Sequence, residues 1–388
     1  MEHAATIANV HEPPSADEPC PKRPKLESTE PEHPSILDEH GDLRLCVGAD
    51  HVDQPPTYLV CSKTIARSSP VMKNILSGDF VESRHREGSQ GEWVVHLPVD
   101  QPTPMRLMLA IMHGDFRQVP ETMDLPTLHT LVVLMDKYDT ISLTRPWVRA
   151  WLNSAKISRD HAKLLSVAWI LGDLALFSTT SSHLIESSTI NEEGDLIIDL
   201  ISSTSGTEGE NQASQTGLLV NLTAPLIPTS VIETHVERMA IKRAQWISGG
   251  IVPHLQLYEA LKRGDCGCRY TSALQLKTTS PRCRALALGS LVQGFLDMGI
   301  NITKANPTST YIGSLSSLRD RFGKFEIFVE RNCEIYNHDD CANMRMTSKS
   351  QIRRRIHRLN MSLTHIEPDY EVRLETQAKK TGLFSNWN

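Results

Sequence analysis

Six cysteine and histidine side chains in the last third of the chain have the types needed for metal chemistry. They are Cys266-Gly267-Cys268, Cys283, Cys333 and the pair in His338-Asp339-Asp340-Cys341. Thiolates and imidazoles bind Zn²⁺ tetrahedrally, and a CxC pair with an HxxC pair supplies four ligands. The two pairs stand far apart and match no ribbon or finger spacing. The competing reading, with Cys283 and Cys333 buried as small hydrophobes, is preferred, and no metal or cofactor is assigned. Arg345, Lys349, Arg353, Arg354, Arg355 and Arg358 could meet phosphates. Ile352, Ile356 and Met361 give that stretch an apolar seam, so a basic helix packed on its domain with a solvated face is expected, and nucleic acid is not an expected partner. Catalytic patterns are missing: the sequence has no G-x-S-x-G, no P-loop and no G-x-G-x-x-G. His113, His129 and His161 are isolated, Asp136 and Asp139 flank a helix end, and Trp147 and Trp151 at i, i+4 read as core.

Composition narrows the class. The 388 residues carry a net charge of −6, with a pI near 6.2, which gives no overall field for nucleic acid. Hydrophobic content of 39% and a mean hydropathy of −0.28 fit a globular protein with disordered parts. No apolar run reaches the ~18 residues of a membrane span. The acidic, polar start has no signal-peptide pattern. Eight cysteines are too few for a disulfide scaffold, so reduced thiols and a nuclear or cytoplasmic location are expected. Residues 1–37 are rich in Pro, Glu and Ser and read as a disordered tail. Within it, Lys22, Arg23 and Lys25 lie between prolines, as an extended nuclear-import signal would.

These residues need elements to carry them. Leu43, Leu45 and Val47 alternate with Arg44 and Cys46 as a strand, and Tyr58–Cys61 completes a hairpin. Ser69-Pro70 starts a helix: the hydroxyl can cap a free N–H, and Pro suits the first helical position. Val71, Met72, Ile75 and Leu76 form its apolar face, and Gly78 suits its C-terminal cap. Trp93, Val95 and Leu97 mark a third strand. Met105 to Met112 is apolar on nearly every side, as in a buried helix that stops at His113-Gly114-Asp115. Val119-Pro120 is a short extended piece, and Pro126 and Pro146 open further helices.

Several blocks in this order resemble the BTB/POZ domain. They are Gly41-Asp42-Leu43, Cys61-Ser62-Lys63, Arg67 to Met72, Gly78 to Glu82 and Leu97-Pro98-Val99-Asp100. Ile111-Met112-His113-Gly114 with Val119-Pro120, Leu134 to Asp139, and Arg145-Pro146-Trp147 are similar to the BTB proteins of filamentous fungi. The resemblance covers about residues 38–152. It implies an α+β fold of short strands flanked by a helical cluster, with protein partners and homodimerisation. In BTB adaptors of cullin-based ubiquitin ligases a hydrophobic-x-Glu motif follows the same helix, and Phe80-Val81-Glu82 stands at that place. The resemblance therefore makes Phe80 and Glu82 the candidate partner-binding residues and a cullin a candidate partner.

Beyond this domain, 153–200 reads as a helical extension and 201–217 as a flexible linker, because Ser, Thr, Gly and Glu fill it. Residues 218–365 read as a mainly helical domain, with separate helices over 232–246 and from Pro253, and 366–388 as a fraying tail. The expected function is a non-enzymatic, self-associating interaction protein. The alternatives are a ubiquitin-ligase substrate adaptor and a nuclear, chromatin-associated regulator with a C-terminal Cys/His site.

Overall fold

The computed structural model describes residues 35–77, 92–200, 215–218, 229–264, 281–328, 354 and 368–384. The chain is mixed α/β and mostly helical, with eleven helices among the described residues. Its first sheet holds β1 (Ser35–Ile36), β2 (Leu43–Val47), β3 (Thr57–Val60) and β4 (Val94–Leu97) in the order β1-β3-β2-β4. β2 and β3 form the expected antiparallel hairpin, with Leu45 opposite Tyr58. β4 runs parallel to β2, with Leu45 beside Val95. A parallel neighbour needs a crossover. The crossover begins with α1 (Ser62–Ser68) and α2 (Pro70–Ser77). Leu43, Leu45 and Val47 are buried and Arg44 and Cys46 are not, so the period-2 reading holds.

Ser69 separates α1 from α2 with extended dihedrals. Its hydroxyl accepts the Met72 N–H at 3.0 Å, and Pro70 takes the first helical position, as expected. α3 (Pro102–His113) is buried along Met105, Met108, Leu109, Ala110 and Met112. It ends at Gly114, whose φ of 75° lets its N–H reach back to the Ala110 and Ile111 carbonyls. α4 (Leu125–Lys137) is capped by Asp124, α6 (His161–Leu171) by Asp160 and α7 (Leu174–Ser187) by Asp173. Between them, α5 (Val148–Ala155) begins two residues after Pro146, with Trp147 at its N-cap, because Ile141–Thr144 forms a 3-10 turn first. Val119 is extended, after a 3-10 turn over Phe116–Gln118. α4 packs on α6, and α6 on α7.

A second sheet joins β5 (Thr189–Ile190), β6 (Leu196–Leu200) and β7 (Gln215–Leu218), all antiparallel. The end of the expected linker, Gln215 to Gly217, is therefore paired strand: its backbone takes a ladder that its polar composition does not signal. Past it, α8 (Thr229–Arg263) is one helix where the proline pointed to two. Pro253 lies inside it and costs one backbone bond. Buried Trp246, Ile247 and Ile251 before the proline and Leu261 after it hold α8 to the core. α9 (Pro281–Asp297) and α10 (Leu315–Lys324) complete this half. Phe325 to Phe328 contains no strand.

The last element corrects the expected tail. α11 (Pro368–Thr381) is a helix packed on α6 and α7, with Tyr370, Leu374, Ala378 and Thr381 buried. Its few apolar residues fall four apart, and that spacing suffices for a one-sided seat.

Candidate interaction site

Four polar locks fix the N-terminal half. Asp42 accepts the Ser62 N–H at 2.7 Å and the Ser62 hydroxyl at 2.6 Å. Burial pushes its carboxyl up, but both Ser62 bonds and the Lys63 charge outweigh that and hold it below the usual range. The carboxylate thus satisfies a free N–H at the start of α1. His113 accepts the Cys61 N–H on Nε2 at 3.1 Å, so Nδ1 carries the proton and donates to the Leu109 carbonyl at 2.9 Å.

Asp100 is buried, 4% exposed, and accepts from Lys137 Nζ and from the Tyr138 hydroxyl, each at 2.6 Å. Burial, then this bond, pushes the Tyr138 phenol up. The Ser69 hydroxyl donates to the Tyr138 carbonyl at 2.7 Å, the same oxygen that caps α2. These contacts engage Asp100 and both nitrogens of His113, so the locks hold elements together. His129 also stays neutral at pH 7: burial and Lys163 drive it down to about 4 against the pull of Asp160. His161 stacks on His183 with ring centroids 3.7 Å apart.

The surface has apolar features that the core does not absorb. Phe116 is 58% exposed and tilts onto half-buried Trp147 at 5.5 Å. Trp147 stacks on Trp151 at 5.8 Å, and Trp151 is buried with its indole N–H on the Pro120 carbonyl at 2.8 Å. The three rings form a ladder from core to surface. Ile36 on β1 and Val94 on β4 are exposed, and those two strands are the edges of the sheet. Exposed aromatic and aliphatic groups at a strand edge or loop are typical docking features.

The chain matches no protein-family model, no curated protein and no solved structure.

Phe80 and Glu82 lie outside the described residues, three and five positions past the end of α2. Lys22, Arg23 and Lys25 also lie outside, as do Gly78, Cys266, Cys268, Cys333, His338, Cys341 and, except Arg354, the basic stretch. Cys283 falls in the first turn of α9. No group of three or more His, Cys, Asp or Glu side chains is set to hold a metal among the described residues. Likewise no described helix is long and apolar enough to cross a membrane. Trp151 lies in the core as expected, whereas Trp147 is only half-buried because it stands at the N-cap of α5 beneath exposed Phe116, which no helical or strand pattern marked. The available signal was an aromatic residue in the turn between Gly114 and Pro120, where no helix face could bury it.

Proposed function

We propose that the chain is a non-enzymatic protein–protein interaction protein acting through a BTB/POZ domain over about residues 38–152. One observation carries this reading: the blocks behind the resemblance bind one another. Asp42 of the first block bonds Ser62 of the second, and His113 bonds Cys61. Ser69 bonds Tyr138, and Asp100 bonds both Lys137 and Tyr138. Residues that serve one architecture should meet in this way, whereas chance matches would scatter. The engaged state of these polar groups favours a scaffold over an enzyme. Exposed Ile36, Val94 and Phe116 supply apolar docking area, beside the likewise exposed Val52 and Val99.

Affinity purification with mass spectrometry tests the reading, comparing the full chain with one lacking residues 38–152. Loss of a reproducible partner set with the deletion is expected. The same set from both forms would refute it. Light scattering across a concentration series tests self-association. A monomer throughout would remove that part of the proposal.

A further inference from the structure

The C-terminal helix α11 is seated against parts of the chain far away in sequence. Tyr370 meets Trp169 and Phe177 edge-on, with centroids 5.4 and 6.3 Å apart. The α11 backbone lies directly against Gly172, where an added Cβ would collide with Ala378 N and Leu374 O. Gly172 also has a φ of +81°, so the seat depends doubly on glycine. The Thr381 hydroxyl donates to the Leu171 carbonyl at 2.8 Å.

Around this seat the Arg373 guanidinium lies 4.9 Å over the Trp169 ring and that of Arg238 4.7 Å over Tyr370, while the remaining polar contacts are exposed or incomplete. At the rim, Arg238 pairs with Asp369 at 3.2 Å and Lys380 with Asp139 at 3.0 Å, both partly exposed and open to salt screening. Within the seam, Trp169 Nε1, Arg373 Nε and Gln377 Oε1 are buried without a hydrogen-bond partner among the described residues. Gln377 Nε2 reaches Asp136 only at 3.4 Å. Burial pushes the Asp136 carboxyl up against the opposing pull of Arg373 and Lys380. Polar groups left unpaired on docking recover water on release, which lowers the cost of opening.

We propose that α11 is a releasable strap, which undocks as a unit and bares the groove of Trp169, Leu171 and Phe177 while α3 to α7 stay folded. The apolar seat positions it, the rim pairs hold it, and the orphaned seam atoms favour its release.

Hydrogen exchange of the full chain, read by mass spectrometry at low and at about 0.5 M salt, tests this. In the wild type, α11 amides should exchange about tenfold or more faster than those of α6, and salt should speed α11 alone by about three- to tenfold. Lys380→Ala should act like salt, on α11 only. Ala378→Glu, which forces a carboxylate into a fully buried position of α11, should strip α11 of protection and leave α3 and α4 at wild-type rates. One common rate for α11 and α6, in wild type and Lys380→Ala and at both salts, would overturn the proposal.

Discussion

His254 should make the fold less stable in acid. It sits in α8, 1% exposed, where α8, α9 and α10 meet. Phe295, Phe322 and Phe325 surround its ring, at centroid distances of 5.1, 5.9 and 5.5 Å. Neither ring nitrogen makes a well-formed hydrogen bond to a described residue, and the Gly250 carbonyl one turn back opposes burial only weakly. Burial therefore drives the imidazole from 6.5 down to about 4.

The folded chain holds this group neutral, while the unfolded chain protonates it near pH 6.5. Stability is thus full above pH 6.5 and falls as pH drops toward 4. At ~1.4 kcal/mol per tenfold change in proton affinity, the complete loss is ~3 kcal/mol, of which ~2 kcal/mol is gone by pH 5. His254→Leu keeps the volume and removes the proton site. It should unfold at the wild-type denaturant midpoint or above at pH 7.5, because an apolar group suits three Phe rings better than an orphaned imidazole. Between pH 7.5 and pH 5 it should lose ~2 kcal/mol less than wild type. His129 is also pulled down to about 4 and adds an acid-sensitive share of its own, smaller because it is only partly buried. His129→Leu in the His254→Leu background should flatten the profile further. Identical losses in wild type and His254→Leu over that range would refute the reasoning.

Other substitutions probe the locks and the surface. Ser69→Ala removes the α2 cap and the bond to the Tyr138 carbonyl, and should cost ~2 kcal/mol by denaturant titration, with Ser69→Thr recovering part of it. Asp100→Ala leaves Lys137 and Tyr138 without their shared acceptor and should cost ~3 kcal/mol in the same assay. Phe116→Ser should leave stability within ~0.5 kcal/mol, since the ring is largely exposed, while weakening capture of a partner or a second copy. Wild-type capture by Phe116→Ser would mean that the ladder's outer ring is not a docking group.

The legible parts of the chain were those whose cause is local. Leu43 to Val47 declares a half-buried strand by alternation, and Ser69-Pro70 declares a helix start by cap chemistry. Gly114 ends α3 because a left-handed cap needs it. α11 was illegible because its core is three apolar residues in a polar segment, and its seat is an absent side chain at Gly172. Pro253 misled for a related reason: a proline signals a break locally, and only the packing of Trp246, Ile251 and Leu261 shows that α8 absorbs it. Arg243 gave no signal either. It is 1% exposed, donates to the Ser188 and Gly313 carbonyls, and lies over Tyr311, so a residue type that normally marks surface pins α8 to the end of α7.

The polar locks explain why the candidate site was only half visible. Asp42 and Ser62 are 20 residues apart, Cys61 and His113 52, Asp100 and Tyr138 38, and Ser69 and Tyr138 69. Each residue looks like ordinary turn or helix-end chemistry in its own neighbourhood, and only the fold reveals its partner. Of these, the Ser69–Tyr138 and Asp100–Tyr138 bonds are buried; such pairs add little net stability over apolar ones, but an alternative packing would strand them unsatisfied. They therefore specify how α1, α2, α3 and α4 sit against the sheet. Asp, His, Lys and Tyr cluster among them, and the structure gives each a positioning task. Under the proposed interaction role, partner choice falls to groups outside the locks. Phe116, Ile36 and Val94 meet that condition, because each is exposed and none of the locks depends on it.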